Sequence, residues 1–443
     1  MSTEPDATWL ASRLTQHTAR GIALEVSALI RSGTLAVGTR MPTVRDLAFT
    51  LGVSPGTISE AWSELKRQKI VSGRGRGGAW VSGDSATPRP ARMGSVAHFG
   101  ADVLDLSLAI PDAGLLPPLR AALAHAADAE KLNSYERTPI LPALRQAVLP
   151  HWPYAPDAFL ATNGGYNAVY SVLHATVLPG SCVAIEDPTA MRLLDIIEDL
   201  GAELLPIGCD AEGPLPDQLA ASLARRPAAL IFQPRTHSVT GRHVSARRLQ
   251  ELAAVLAGSE TLVIEDDGVG DVSIHPPISL GTTIPERVVH IRSFSKSLGP
   301  DLRIAVLSAP DKVIRQIQSY RSFSSGWTSR LLQAATAWLL EDAATTQSVA
   351  DARRIYAERR RSFLSHLAEH GIAMPETDGL CIWIPVESEQ YALVTLAAHG
   401  IAVLPGSKCS LRPTEHVRLA TAVLAQGHER VAAAVARAAR RGD

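Results

Sequence analysis

The chain has 443 residues, 46% of them hydrophobic, enough for a sizeable core and two or three domains, which excludes a largely disordered protein. Charged residues make up 20% and nearly cancel, 43 Lys and Arg against 44 Asp and Glu, so a nucleic-acid site has to be a local basic patch. Cys182, Cys209, Cys381 and Cys409 stand far apart with no CxxC pair, which argues against a disulfide scaffold and a zinc module and fits a reducing compartment.

The opening MSTEPDATWL lacks a basic stretch followed by an apolar one, and no run of about 18 apolar residues occurs, so the expectation is a cytoplasmic protein that spans no membrane. In Met41–Val53 the apolar residues Val44, Leu47, Ala48 and Leu51 recur at helical spacing, and Gly52 breaks the run. Ser54 can cap a second helix, where Ile58, Ala61, Trp62 and Leu65 repeat the spacing and leave Thr57, Ser59, Lys66 and Arg67 to face outward. Two short β-prone runs, 70–72 and 79–82, flank a Gly/Arg turn that would form a wing beside a duplex, with Arg74 and Arg76 reaching phosphates or the minor groove. A helix-turn-helix with a wing is therefore expected.

From about residue 82 to 104, Ser, Pro, Gly and Ala cluster without apolar periodicity, as in linkers. Residues 1–82 hold ten Lys and Arg against six Asp and Glu, so the segment before this linker is the basic one. The expected division is a DNA-binding domain over 8–82, a linker over 83–104 and a large domain over 105–443.

Downstream, β-rich runs alternate with helical patterns: CVAIED, an amphipathic stretch from Met191, AALIFQP, a helix around Arg247–Leu256, TLVIEDD and VVHIRSF. The alternation predicts an α/β domain with a mostly parallel central sheet. Four motifs sit at the ends of these runs. Gly164-Gly165 before Tyr166 opens a helix whose amides can approach a phosphate. Glu186-Asp187-Pro188-Thr189 and Glu265-Asp266-Asp267 follow strands, where α/β folds place their ligands. In Ser293-Phe294-Ser295-Lys296-Ser297-Leu298-Gly299-Pro300, with Arg303 beyond, an amine that can form a Schiff base stands among hydroxyls and a guanidinium that can hold a phosphate.

On SGTLAVGTRMPTVRDLAFTLGVSPGTISEAWSEL and the Gly-rich wing, the first domain resembles the winged helix of GntR-type bacterial regulators. The four later motifs resemble the fold type I aminotransferases that use pyridoxal phosphate. Their combination, with YERTPILPALRQAV and SFSKSLGPDLR, is similar to the MocR subfamily of regulators. The resemblance implies DNA contacts from Arg45, Ser54, Gly56, Thr57 and Gly77 or Gly78. It implies Lys296 as the residue that bonds the pyridoxal phosphate aldehyde and Asp266 as partner of the pyridine nitrogen. The phosphate would be held by Gly165, Tyr166, Ser293, Ser295 and Arg303. An effector carboxylate would go to Arg418 in EHVRLA, and Tyr135 matches a tyrosine that reaches across a head-to-tail homodimer.

The pattern is broken at four positions. Pro55 stands where the GntR pattern has Arg, removing a cation and a backbone donor from the recognition helix. Ala190 replaces the aromatic that stacks on the cofactor ring, Gly268 replaces a tyrosine, and Val239 in QPRTHSVTG replaces a proline, with Arg235 and His237 as polar neighbours. A lost stack forgoes roughly 0.5–1.5 kcal/mol. Cofactor binding survives such losses more readily than transamination does, so the expected function is a regulator binding an operator on double-stranded DNA and sensing pyridoxal phosphate or an amino compound. Two alternatives stand beside it: a working aminotransferase with a fused DNA-binding domain, and a regulator whose cofactor pocket has decayed.

Overall fold

Thr43 and Gly52 bracket the first helix of the helix-turn-helix. In the computed structural model, which describes residues 6–67, 70–73, 78–82, 90, 92–93, 99–100 and 102–440, Thr43 Oγ1 accepts the amide of Asp46 and donates to its carboxylate at 2.7 Å. Gly52 closes the helix in the left-handed conformation at φ +67°, where a Cβ would be strained. The chain forms two compact units, one of residues 1–95 with 177–182 and 195–204, the other of the remainder.

In the first unit, α1 (Ala7–Ala11) and α2 (Ala19–Arg31) precede α3 (Val44–Leu51) and α4 (Pro55–Arg67). The first two helices had no counterpart in the sequence reading. The residues picked by periodicity, Leu47, Ala48 and Leu51 on α3 and Ile58, Ala61, Trp62 and Leu65 on α4, are buried in one core with Ile22, Val26 and Leu35. Ser54 Oγ accepts the Thr57 amide at 3.1 Å, capping α4 as expected. Thr57 is half-buried rather than free, because its hydroxyl lies 2.9 Å from Ser54 Oγ. The wing strands β1 (Val71–Ser72) and β2 (Trp80–Val81) pair antiparallel.

The second unit is organised by a sheet. Its strands in chain order are β3 (Leu104–Asp105), β4 (Ala158–Thr162), β5 (Cys182–Asp187), β6 (Glu203–Asp210), β7 (Gly213–Pro214), β8 (Ala229–Phe232), β9 (Leu262–Asp267), β10 (Val288–Ser293), β11 (Ala305–Ala309), β12 (Cys381–Pro385), β13 (Ile401–Ala402), β14 (Leu404–Pro405) and β15 (His416–Ala420). Eight strands join in the order β4-β11-β10-β9-β8-β5-β6-β7. Pairing is parallel through the centre, from β5 to β8, β9 and β10, and antiparallel where β11 is inserted between β10 and β4. The central strands are buried along almost their whole length, because helices cover a parallel sheet on both faces.

A smaller sheet, β12-β15-β14, carries a separate core in which Ile382, Ile384 and Leu419 meet Phe363 of the 27-residue helix Ala343–Glu369 and Val431 and Val435 of the helix His428–Ala439. β15, which carries Arg418, is thereby packed against this core.

Candidate functional sites

The DNA-facing candidates follow from the cap geometry of the first unit. Arg45 is exposed on α3, and Ser54 and Gly56 are exposed at the start of α4, the end of a helix that suits a phosphate. Gly78 adopts φ +79° beside the Arg40 guanidinium, which a Cβ there would approach to 3.4 Å. Arg74, Arg76 and Gly77 lie outside the described residues.

In the second unit, the ends of β8, β9 and β10 converge as the motifs required. The helix Gly165–Thr176 starts against β10: a Cβ at Gly165 would meet Ser293 Cβ at 3.2 Å. Gly164, at φ +94°, touches Arg303, whose NH2 would lie 2.9 Å from an added Cβ. Arg303 is anchored on the Asn163 carbonyl at 3.1 Å, and Ser293 Oγ lies 3.1 Å from Ser295 Oγ. Backbone donors, two hydroxyls and a guanidinium are therefore gathered together, the composition a phosphate needs.

Lys296 stands on the turn after β10 and donates to the Ala109 carbonyl at 2.8 Å. Burial and then the nearby Arg418 charge push its ammonium down to about 8, far toward the neutral amine that attacks a carbonyl. Alternation along β9 separates the paired aspartates. Asp267 is tied to Arg235 at 3.3 Å, in a network where Asp271 also binds Arg292, so it serves the framework. Asp266 faces the site, accepts Gln233 Nε2 at 2.8 Å and is pushed up by burial to about 6. A protonated pyridine nitrogen would restore its charge.

Arg418 is 6% exposed on β15, donates from Nη2 to the Ser107 carbonyl at 2.9 Å, and keeps Nε buried without a hydrogen-bond partner among the described residues. That orphaned donor, the cluster of glycines, hydroxyls and Arg303, the softened lysine and the buried Asp266 fit pyridoxal phosphate together with a carboxylate. Tyr135 lies elsewhere: it is 86% exposed, with its ring edge-on to Trp327 at 5.8 Å.

Two residues of the site escaped the sequence reading. Gln233 lay within the quoted QPRTHSVTG, yet nothing in spacing marked it as the donor to Asp266. Arg192, two residues past Ala190, holds its guanidinium 4.8 Å from the Tyr166 ring centroid, and its charge reaches Lys296. An arginine in a first helical turn ordinarily reads as a solvated charge, so no sequence signal pointed to it.

Comparison with known proteins agrees with this architecture. Residues 101–435 match the family model of aminotransferase class I and II, and residues 18–81 that of bacterial regulatory proteins of the gntR family. The chain is 31% identical over 412 residues, 90% of its length and 93% of the relative's, to the vitamin B6 salvage pathway transcriptional repressor PtsJ of Salmonella typhimurium. It is 28% identical to the HTH-type transcriptional regulator TauR of Rhodobacter capsulatus, covering 88% of each. Among solved structures, the aromatic aminotransferase of Pyrococcus horikoshii superposes with a TM-score of 0.69 at 21% identity, covering 78% of this chain and 97% of that one, which shows a shared fold. A helix-turn-helix of the gntR family joined to an aminotransferase class I and II domain, in one chain aligned over 90% of its length with such a regulator, places the protein in the MocR subfamily of DNA-binding transcriptional regulators.

Proposed function

We propose that this regulator binds its operator through α3, α4 and the wing, and that pyridoxal phosphate, alone or with an amino compound, is the signal read by its second unit. The reading rests above all on Lys296, whose amine is softened to about 8 near Asp266 and which follows the Ser293 that packs on Gly165. Bound cofactor supplies an aldehyde that takes up amines and a ring that withdraws electrons. In this assignment Lys296 holds the aldehyde carbon and Asp266 the ring nitrogen. Gly165, Tyr166, Ser293, Ser295 and Arg303 hold the phosphate, and Arg418 takes an effector carboxylate. The Salmonella relative, named as a repressor of vitamin B6 salvage, supports a B6-related signal.

The working unit in this proposal is a cytoplasmic head-to-tail homodimer, with Tyr135 serving the opposite protomer. Support comes from exposed aromatics: Tyr135 is 86% exposed, and so is Phe323 at 92%, one residue past the Ser322 that Arg137 bonds at 3.1 Å. Two reading heads call for paired operator half-sites. The domain limits 8–82, 83–104 and 105–443 belong to the same reading, and the family models at 18–81 and 101–435 are compatible with them.

Adding pyridoxal phosphate to the purified protein and recording near-visible absorbance tests the assignment. A Schiff-base band in wild type and none in Lys296→Ala is expected; no band in wild type overturns the cofactor role. Operator affinity measured with and without cofactor then tests regulation, where a tenfold difference corresponds to about 1.4 kcal/mol of coupling. Multiple-turnover transfer from an amino donor to a keto acid, lost in Lys296→Ala, would instead favour an enzyme.

A further inference from the structure

A cavity of about 240 Å3 lies beside the lysine site, and neither Lys296 nor Asp266 lines it. Its buried end is made by Glu186, Gln233 and His237, and its outer end by the exposed Arg242 and His243. Across from the sheet, Trp383 of β12 and His416 of β15 form a flat wall, their rings stacked at 4.9 Å and 13°.

His237 gives the buried end its chemistry. Its Nδ1 lies 3.2 Å from the Val239 amide and 3.0 Å from the Thr240 amide, and accepts from both, so the ring proton resides on Nε2. Nε2 is buried and has no hydrogen-bond partner among the described residues, standing 3.4 Å from Glu186 Oε1 without bonding geometry. Glu186 Oε1 in turn accepts the Gln233 amide at 2.8 Å. A donor lacking an acceptor and a carboxylate thus stand side by side at the inner end, and a ligand hydroxyl satisfies both, accepting from the imidazole and donating to the carboxylate.

The cavity is also placed to receive part of a larger molecule. Trp383 and Arg418 are direct partners in the antiparallel pairing of β12 and β15, so their side chains leave the same face. A compound whose carboxylate meets Arg418 therefore has the Trp383–His416 wall next to its remaining atoms. We infer that the cavity accepts a hydroxylated aromatic ring, so that the effector is an amino acid bearing such a ring, with the ring against Trp383 and its hydroxyl between His237 and Glu186. The inference rests on the proposed effector role of the second unit and specifies its ligand class.

The test uses full-length protein and three probes followed by calorimetry: L-tyrosine, L-phenylalanine and 3-(4-hydroxyphenyl)propanoate. L-Tyrosine should bind wild type at least about tenfold more tightly than L-phenylalanine, because a site built to bond a hydroxyl leaves its groups unpaired with the analogue lacking it. His237→Phe, shown folded by its thermal transition, should reduce that preference to below about threefold, while Trp383→Leu should weaken both ligands alike. The propanoate has no amine to react with a cofactor aldehyde, so its binding to wild type stands or falls independently of the cofactor. Equal binding of tyrosine and phenylalanine by wild type, or no binding of either, overturns the inference without any variant, and so does a tyrosine preference that survives in His237→Phe.

Discussion

Gln233 donates from Nε2 to Asp266 Oδ2 at 2.8 Å while its Oε1 accepts the amide and hydroxyl of Ser238 at 2.9 and 2.8 Å. Both ends of the amide are engaged, so the donor cannot turn away from the carboxylate. This bond opposes the upward push of burial on Asp266. Gln233→Leu removes this lowering hydrogen bond and should move the carboxyl above about 6. Cofactor binding, which needs the charged carboxylate against a protonated ring, should then weaken about ten- to a hundredfold, the worth of a hydrogen bond to a charged group. Titrating pyridoxal phosphate by absorbance across pH 5–8 checks this: the acid limb of affinity should shift to higher pH, and an unchanged limb would assign Gln233 to the framework alone.

Lys296 carries a kinetic prediction. Its lowered value means that the neutral amine predominates above about pH 8, whereas an unperturbed lysine reaches that point near ~10.4. The rate at which the Schiff-base band forms should rise with pH and level off past a midpoint near 8. A rise continuing beyond pH 10 would show an amine that burial does not soften.

Gly164→Ala separates the phosphate from the rest of the cofactor. Its Cβ would be strained at φ +94° and would press on Arg303. Pyridoxal phosphate should bind more weakly by roughly tenfold or more, about 1.4 kcal/mol, with affinity for phosphate-free pyridoxal unchanged. Competition titrations with the two vitamers read the difference directly.

On the DNA side, Arg45→Ala should lower operator affinity at every sequence and reduce the salt slope of log K by about one. Filter binding or fluorescence anisotropy over a series of salt concentrations measures both. An unchanged slope would remove Arg45 from the phosphate contacts.

Thr43→Ala tests the local physics of α3. Loss of the cap to the Asp46 amide should destabilise the first unit by about 1 kcal/mol. Chemical denaturation of the full chain, monitored on the first transition, provides the readout.

Sequence alone determined the elements whose physics is local. The periodicity of α3 and α4, the Ser54 cap and the Gly52 stop lie within a few residues of each other, and so do the strand-end motifs around Asp266 and Lys296. These signals need no knowledge of where the rest of the chain goes. They named the helix-turn-helix, the central sheet and most of the residues gathered near Lys296. What only the tertiary structure decided depends on partners far apart in sequence. Asp266 and Asp267 are indistinguishable as neighbours, and their roles separate only because β9 turns one toward Gln233 and the other toward Arg235. Arg418 and Trp383 become one face through strand pairing across 35 residues, and His237 gains its unpartnered proton from the way the 233–241 segment folds over Glu186. Hydrogen bonding and burial of this kind are set by packing, which periodicity does not encode.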